Sequence, residues 1–171
     1  IREAYKNHTF KIEIDGQESS WKRQETGIRQ GCPLSPYLFL IVMTVMFHDI
    51  HKDEALQKEL GEDRVLGAIF DEILYADDTI IHSTNPEALS KLLHKIEEEG
   101  EKYGLKLNHA KCEALTIRGT ATINFRNGKK VKELDESKYL GVFLNSSTDA
   151  KREINKRMGD VVGTWKRLEE F

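Results

Sequence analysis

Cysteine is scarce in this chain. Cys32 and Cys112 form no CxxC pair and no disulfide framework, which fits a reducing setting. Long apolar runs are missing too: the longest, Leu38 to Val42, falls far short of the ~20 residues a membrane-spanning helix needs. No basic-then-apolar stretch resembles a secretory leader. The histidines (His8, His48, His51, His82, His94 and His109) show no zinc-type spacing with the cysteines. No Ser-His-Asp arrangement, internal repeat or low-complexity segment is evident. The chain opens Ile1-Arg2-Glu3 without an initiator Met, so a piece of something longer is expected.

What is present suits a folded domain. With 171 residues, 39% hydrophobic and 32% charged, the chain fits one compact domain, or one with an appendage. The net charge of −3 is unevenly spread: 6 Lys+Arg against 5 Asp+Glu in residues 1–35, 6 against 15 in 36–104, and 14 against 9 in 105–171. The basic final third is compatible with a phosphate backbone, which the acidic middle would repel without intervening cations. A plain solvated surface explains most of these charges equally well.

Residues 73 to 81 read ILYADDTII. Burying a carboxylate costs several kcal/mol unless a cation or hydrogen-bond donors compensate it. The flanks, Ala68 to Tyr75 and Thr79 to His82, predict two strands with Ala76-Asp77-Asp78 at their turn. An ordinary hairpin explains one Asp. A divalent cation at the tip of a buried hairpin explains both. On local chemistry the two readings stand level.

Elsewhere the chain reads as alternating strands and helices. Ile1 to Tyr5 reads as a helix tail. Thr9 to Ile14 and Ser19 to Glu25 predict a hairpin turning at Asp15-Gly16. Ser35-Pro36 reads as an N-cap with proline at the first helical position, opening a helix to about His51 that is apolar nearly all round and so expected to be buried. Lys52 to Arg64 reads as an exposed helix or loop. Asn85-Pro86 repeats the capped start for a helix over Pro86 to Tyr103, with Leu89, Leu92, Leu93, Ile96 and Tyr103 on one stripe and Gly104 as a left-handed stop. Its expected role is to cover a sheet. Leu105 to Asn108, Ala114 to Ile117, Ile123 to Phe125 and Tyr139 to Leu144 read as strands, with a turn at Asn127-Gly128. Asp149 to Phe171 reads as a final helix with Ile154, Met158, Val161, Val162, Trp165 and Leu168 on its apolar face. The fold class expected is α+β, antiparallel strands with helices on one face.

Three further stretches carry candidate chemistry. In Gln30-Gly31-Cys32-Pro33-Leu34-Ser35-Pro36, Gly31 allows close approach or a sharp turn, Pro33 stiffens the route into the helix, and the Arg29-Gln30 pair offers donors to phosphate or a base edge. A bland loop before a capped helix would look similar. Lys111, in GLKLNHAKC, is placed to neutralise or protonate a departing pyrophosphate near a metal-bound triphosphate, or is simply a surface lysine. Tyr139-Leu140-Gly141-Val142 fits an edge strand with a glycine bulge.

In order and spacing, GIRQGCPLSP, YADD, GLKLNHAKC and KYLGV together resemble the palm of reverse transcriptases, most of all those of non-LTR retrotransposons. The resemblance implies a partial polymerase palm over residues 1–145, an antiparallel sheet with helices on one face, and the beginning of a helical thumb over 146–171. It implies that Asp77 is the main ligand of a Mg²⁺ pair, with Mn²⁺ as a substitute, and Asp78 a weaker ligand. Tyr75 would lie near the primer end, Gln30 and Gly31 against the nascent base pair, Lys111 at the leaving pyrophosphate, and Tyr139, Leu140 and Gly141 at the primer grip. The implied partners are an RNA template, a DNA primer and dNTPs. The implied setting is intracellular, nuclear in a eukaryotic host.

The family also uses an Asp-bearing strand several tens of residues ahead of the glutamine-glycine loop. Only 29 residues precede Gln30, and Glu3, Glu13, Asp15, Glu18 and Glu25 do not match that motif; Asp15 is better read as a turn residue. Basic fingers residues are also missing. Two-metal transfer needs cations about 4 Å apart, so Asp77 and Asp78 would supply about half the ligands. The chain alone is therefore expected to be inactive and, with apolar surface uncovered, to self-associate. A non-catalytic nucleic-acid-binding or assembly module derived from such an enzyme is the alternative.

Overall fold

The computed structural model describes residues 2–61, 64–65, 68–69, 72–147 and 149–169. They fall into two compact units, residues 1–45 and 46–171, with one helix running through the boundary.

In the first unit a short helix, α1 (Arg2–Tyr5), precedes the strand pieces β1 (Thr9–Phe10), β2 (Glu13–Ile14), β3 (Gln17–Glu18) and β4 (Lys22–Arg23). They form the expected hairpin. Asp15 and Gly16 both take positive φ, 50° and 76°, the two-residue turn that matches strand twist. The inner pair Ile14↔Gln17 and the outer pair Thr9↔Arg23 are out of step by one residue. Two residues therefore stand opposite three, a bulge. Ser19 fills it, its N–H donating to the Ile12 carbonyl (2.8 Å) and its Oγ accepting from the Ile12 N–H (2.9 Å).

α2 (Ser35–His51) spans the expected residues but departs from the expectation twice. Its first carbonyl bond runs from the Leu38 N–H to Leu34, so Leu34 rather than Ser35 stands at the helix start. The Ser35 hydroxyl instead donates to the Arg29 carbonyl at 2.6 Å. Nor is the helix buried all round. Met43, Met46, Phe47 and Ile50 form a covered stripe, while Tyr37, Leu40, Ile41 and Val45 are exposed.

In the second unit α3 (Glu54–Leu60) is capped by Asp53, whose carboxylate accepts the Leu56 N–H at 3.1 Å. It is amphipathic rather than simply exposed, burying Leu56 and Leu60. Strand pieces follow: β5 (Arg64–Val65) with β6 (Ala68–Ile69), then β7 (Glu72–Tyr75) with β8 (Asp78–Ile81). The helix α4 (Pro86–Lys102) matches its sequence signals closely. Asn85 accepts the N–H groups of Glu87 and Ala88 at 3.1 and 3.2 Å. At the far end Gly104 takes φ +71°, with Gly104 N–H to Glu101 carbonyl and Leu105 N–H to Gly100 carbonyl (2.8 Å) closing the helix. Its buried face centres on Ala88, Leu92 and Leu93.

β9 (Glu113–Leu115) and β10 (Lys132–Leu134) pair in parallel, and β11 (Glu136–Tyr139) and β12 (Val142–Asn145) form a hairpin. Among the described residues the strands make two-stranded pairs, five antiparallel as the α+β class expects and one, β9 with β10, parallel. Leu105 to Asn108 makes no ladder, and Ile123 to Phe125 contributes only the bridge Asn124↔Lys130 around the expected Asn127-Gly128 turn. Leu93, Ile123, Phe125 and Val131 form the core cluster, with Ile81, Leu89, Leu107, Cys112 and Ala114 packed against it. α4 thus covers β8, β9 and the Ile123–Val131 loop.

α5 (Ala150–Glu169) follows β12. Its first turns are tied to the β11–β12 hairpin by polar contacts. Glu153 accepts the Phe143 N–H (3.1 Å), Arg152 pairs with Glu136 (2.7 Å), and the Lys156 ammonium lies 3.3 Å from the Phe143 ring centre. Its apolar face, Ile154 to Leu168, is exposed.

Candidate active site

The β7–β8 hairpin places the paired acids. Tyr75 faces Asp78 across the ladder, and Ala76-Asp77 make a two-residue turn with Ala76 at φ +52°. One end of the hairpin is anchored, because Ile81 packs on the core cluster. The other end is not buried as the sequence suggested: Tyr75, Asp77 and Asp78 are all exposed. The acids are therefore not buried charges awaiting compensation. They are two solvated carboxylates on consecutive residues, just after the left-handed Ala76. Among the described residues, no group of three or more His, Cys, Asp or Glu is placed to hold a metal ion. Two carboxylates suit a hard cation such as Mg²⁺, which usually keeps several waters and is bound by one or two carboxylates with substrate phosphates. By donor chemistry alone, two carboxylates would supply part of such an ion's ligand set.

Gln30 and Gly31 lie in the first unit, at a turn before α2. Gln30 is exposed, and Gly31 takes φ +79° with nothing within 4 Å of where a Cβ would stand. Glycine is required there for backbone conformation, not for close packing within the chain. Arg29 is not a free donor beside it: its guanidinium sits 5.1 Å from the Tyr5 ring centre. Tyr5 also reaches Ser35 Oγ (3.2 Å), and Ser35 in turn binds the Arg29 carbonyl. Ser35 and Tyr5 thus fix the ends of the loop that presents Gln30 and Gly31. The cap pattern at Ser35-Pro36 marks the position but misreads the bond.

Lys111 is exposed and closes a turn, its N–H donating to the Asn108 carbonyl at 2.9 Å. It leads into β9, where Glu113 accepts a hydrogen bond from the Ser137 hydroxyl of β11 (2.7 Å). The structure therefore brings the Lys111 turn and the Tyr139 hairpin to one group of strands. Cys112 and Ala114 share the core cluster with Ile81, so the acid-bearing hairpin rests on the same packing. At Tyr139-Leu140-Gly141-Val142 the bulged edge strand is replaced by a tight turn. Tyr139 faces Val142, while Leu140 and Gly141 take φ 48° and 84°. Leu140 is exposed, and the buried hydroxyl of the half-buried Tyr139 has no hydrogen-bond partner among the described residues.

A hairpin tip bearing Tyr-Ala-Asp-Asp and a lysine turn on its core, and in the first unit a glycine turn ahead of an apolar helix, are features of a class that comparison identifies. Residues 1–144 match the family described as reverse transcriptase (RNA-dependent DNA polymerase), and the chain belongs to that family, in its non-LTR retrotransposon branch. It is 27% identical over 165 residues to the Retrovirus-related Pol polyprotein from type-1 retrotransposable element R2 of Nasonia vitripennis, covering 89% of this chain and 15% of that one. It is 30% identical over 161 residues to the RNA-directed DNA polymerase from mobile element jockey of Drosophila funebris (90% and 17%). It is also 30% identical over 154 residues to the Retrovirus-related Pol polyprotein from type-2 retrotransposable element R2DM of Drosophila melanogaster (83% and 14%). The chain spans about one sixth of the length of these relatives.

Proposed function

We propose that this chain is the palm core, residues 1–145, and the start of the thumb, 146–171, of an RNA-directed DNA polymerase that extends a DNA primer on an RNA template with dNTPs. The observation that carries the reading is the exposed Asp77-Asp78 pair at the tip of an anchored hairpin, in a chain matched by the family over residues 1–144. When bound, a Mg²⁺ pair (or Mn²⁺) supplies activation of the primer hydroxyl and stabilisation of charge on the transferring phosphoryl group. Asp77 and Asp78 would hold part of that set, with Asp77 the principal ligand. Tyr75, directly across from Asp78, would pack near the primer end. Lys111, exposed on its turn, would donate a proton to the departing pyrophosphate. Gln30 and Gly31 would line the nascent base pair, and the Tyr139-Leu140-Gly141 turn would hold the primer strand. The host compartment would be intracellular, and nuclear in a eukaryote.

Two carboxylates are about half of a two-metal ligand set, so this chain by itself would not extend a primer above background in Mg²⁺ or Mn²⁺. The lack of a third grouped acid among the described residues favours one other reading, a non-catalytic nucleic-acid-binding or assembly module. The deciding experiment is Asp77→Asn in the full-length polypeptide, with primer extension and far-UV circular dichroism measured together. Loss of synthesis by about a hundredfold or more with an intact spectrum supports the polymerase reading. Retained synthesis removes Asp77 from the chemistry, and wild-type protein that binds primer–template without extending it favours the alternative.

A further inference from the structure

We infer that Glu97 and His109 form a brace that positions Lys111, an inference that rests on the role given to Lys111 above. Glu97 lies on α4, its side chain only 10% exposed, and both of its oxygens are engaged. Oε1 accepts from His109 Nε2 at 2.7 Å, so that nitrogen carries a proton, and Oε2 accepts from the Arg126 backbone N–H at 2.9 Å. One carboxylate thereby ties the helix to two separate turns. The His109 ring also stacks on Phe125, centroids 4.0 Å apart and planes 12° from parallel. Phe125 is a member of the core cluster, so the stack joins the turn to buried packing.

Lys111 is held from its other side as well. The Cys112 thiol donates to the Asn108 carbonyl at 3.4 Å, and its side chain packs on the same cluster. Within the turn, the Ala110 N–H donates to Asn108 Oδ1 at 3.2 Å. Lys111 is therefore an exposed side chain on a backbone fixed two residues before and one residue after it. A proton donor must lie within hydrogen-bond reach of the leaving oxygen, and a misplacement of about 1 Å can cost about a hundredfold in rate. His109 itself touches neither substrate nor metal in this reading. It acts through Lys111.

The test compares H109A, K111A and the double variant in the full-length polypeptide, by single-nucleotide incorporation on a primer–template. K111A should lower kcat by about a hundredfold. H109A should lower it about tenfold with the KM for dNTP within about twofold, and the double variant should be no slower than K111A, because the brace has no route to the chemistry except Lys111. If the two losses multiply, the brace acts elsewhere and the inference is overturned. If K111A keeps the wild-type rate, the role of Lys111 fails, and with it the catalytic consequence of the brace. Amide hydrogen exchange separates the two failures. H109A and E97Q should each speed exchange at the Lys111 amide about tenfold while the Leu92 amide, reporting the fold, is unchanged; H109Q, which keeps a donor to Glu97, should restore part of the protection. Unchanged exchange at Lys111 in both variants overturns the brace whatever the activity.

Discussion

Ala76→Gly should make this protein more stable, which is unusual for a glycine introduced into a hairpin. At φ +52° the alanine Cβ crowds its own backbone, a conformation that costs a non-glycine residue about 1–2 kcal/mol. Glycine removes that cost but enlarges the entropy of the unfolded chain, a loss of about 0.5–1 kcal/mol. The difference leaves a net gain of about 0–1.5 kcal/mol, with its middle between about 0.5 and 1 kcal/mol. For a chain of this size that is a rise in Tm of about 1–4 °C, within reach of thermal melts followed by circular dichroism. Had the turn been an ordinary one with negative φ, the same substitution would lower stability by the entropic amount, so the sign alone decides. Gly141→Ala, at φ +84° in the other two-residue turn, should do the reverse and lower stability by about 1 kcal/mol. The gain at Ala76 carries a functional cost, because the turn that strains Ala76 also fixes the two carboxylates beside it. A76G in the full-length polypeptide should therefore be more stable and slower in primer extension. A variant that melts lower than wild type would refute the left-handed turn and the reasoning built on it.

Leu92→Ala, at a side chain only 1% exposed on α4, should destabilise by about 2–5 kcal/mol in urea melts, whereas Ile154→Ala on the open face of α5 should change stability by less than about 0.5 kcal/mol. The carboxyls of Glu99, bonded by Lys102 and Lys95, and of Asp49, bonded by Lys52 and Tyr103, are held below their ordinary range. Their contribution is present above the unfolded carboxylate range and is lost as pH falls through their lowered values, so stability should fall in the region below about pH 4. Glu99→Gln should flatten that acid limb, and an unaltered limb would remove Glu99 from the account. The exposed stripe of Ile154, Met158, Val161, Val162, Trp165 and Leu168 should drive self-association at micromolar concentration, relieved by Val161→Glu; a monomer by light scattering in the wild-type chain would contradict it.

How far the sequence speaks for itself varies with how local the signal is. α4 is legible from end to end because its cap at Asn85, its apolar stripe and its glycine stop all act within a few residues. The turn at Asp15-Gly16 is legible for the same reason. Ser35 looks like a cap and is not one, because the helix opens one residue earlier, at the Leu34 carbonyl, and the Ser35 hydroxyl donates to the Arg29 carbonyl six residues upstream. Leu140 gives no warning of a left-handed turn, since leucine is not a residue that such turns select. The parallel pairing of β9 with β10 joins segments that no periodicity relates. At the site, the tyrosine, the two acids and the lysine stand out as motif residues. The brace at Glu97 and His109 does not, because its two members are brought together by a helix turn and a loop, and each alone resembles an ordinary surface residue.

The attachment of α5 has a mechanical consequence. Its described polar ties to the β11–β12 hairpin fall at Arg152, Glu153 and Lys156, within the first two turns of a 20-residue helix about 30 Å long. A helix tied at its first turns transmits along its length what happens at the tie. Tilting those first turns by about 10° would swing the far end by about 5 Å. A small movement of the Tyr139-Leu140-Gly141 turn would thus be carried, enlarged, into the later turns of the helix.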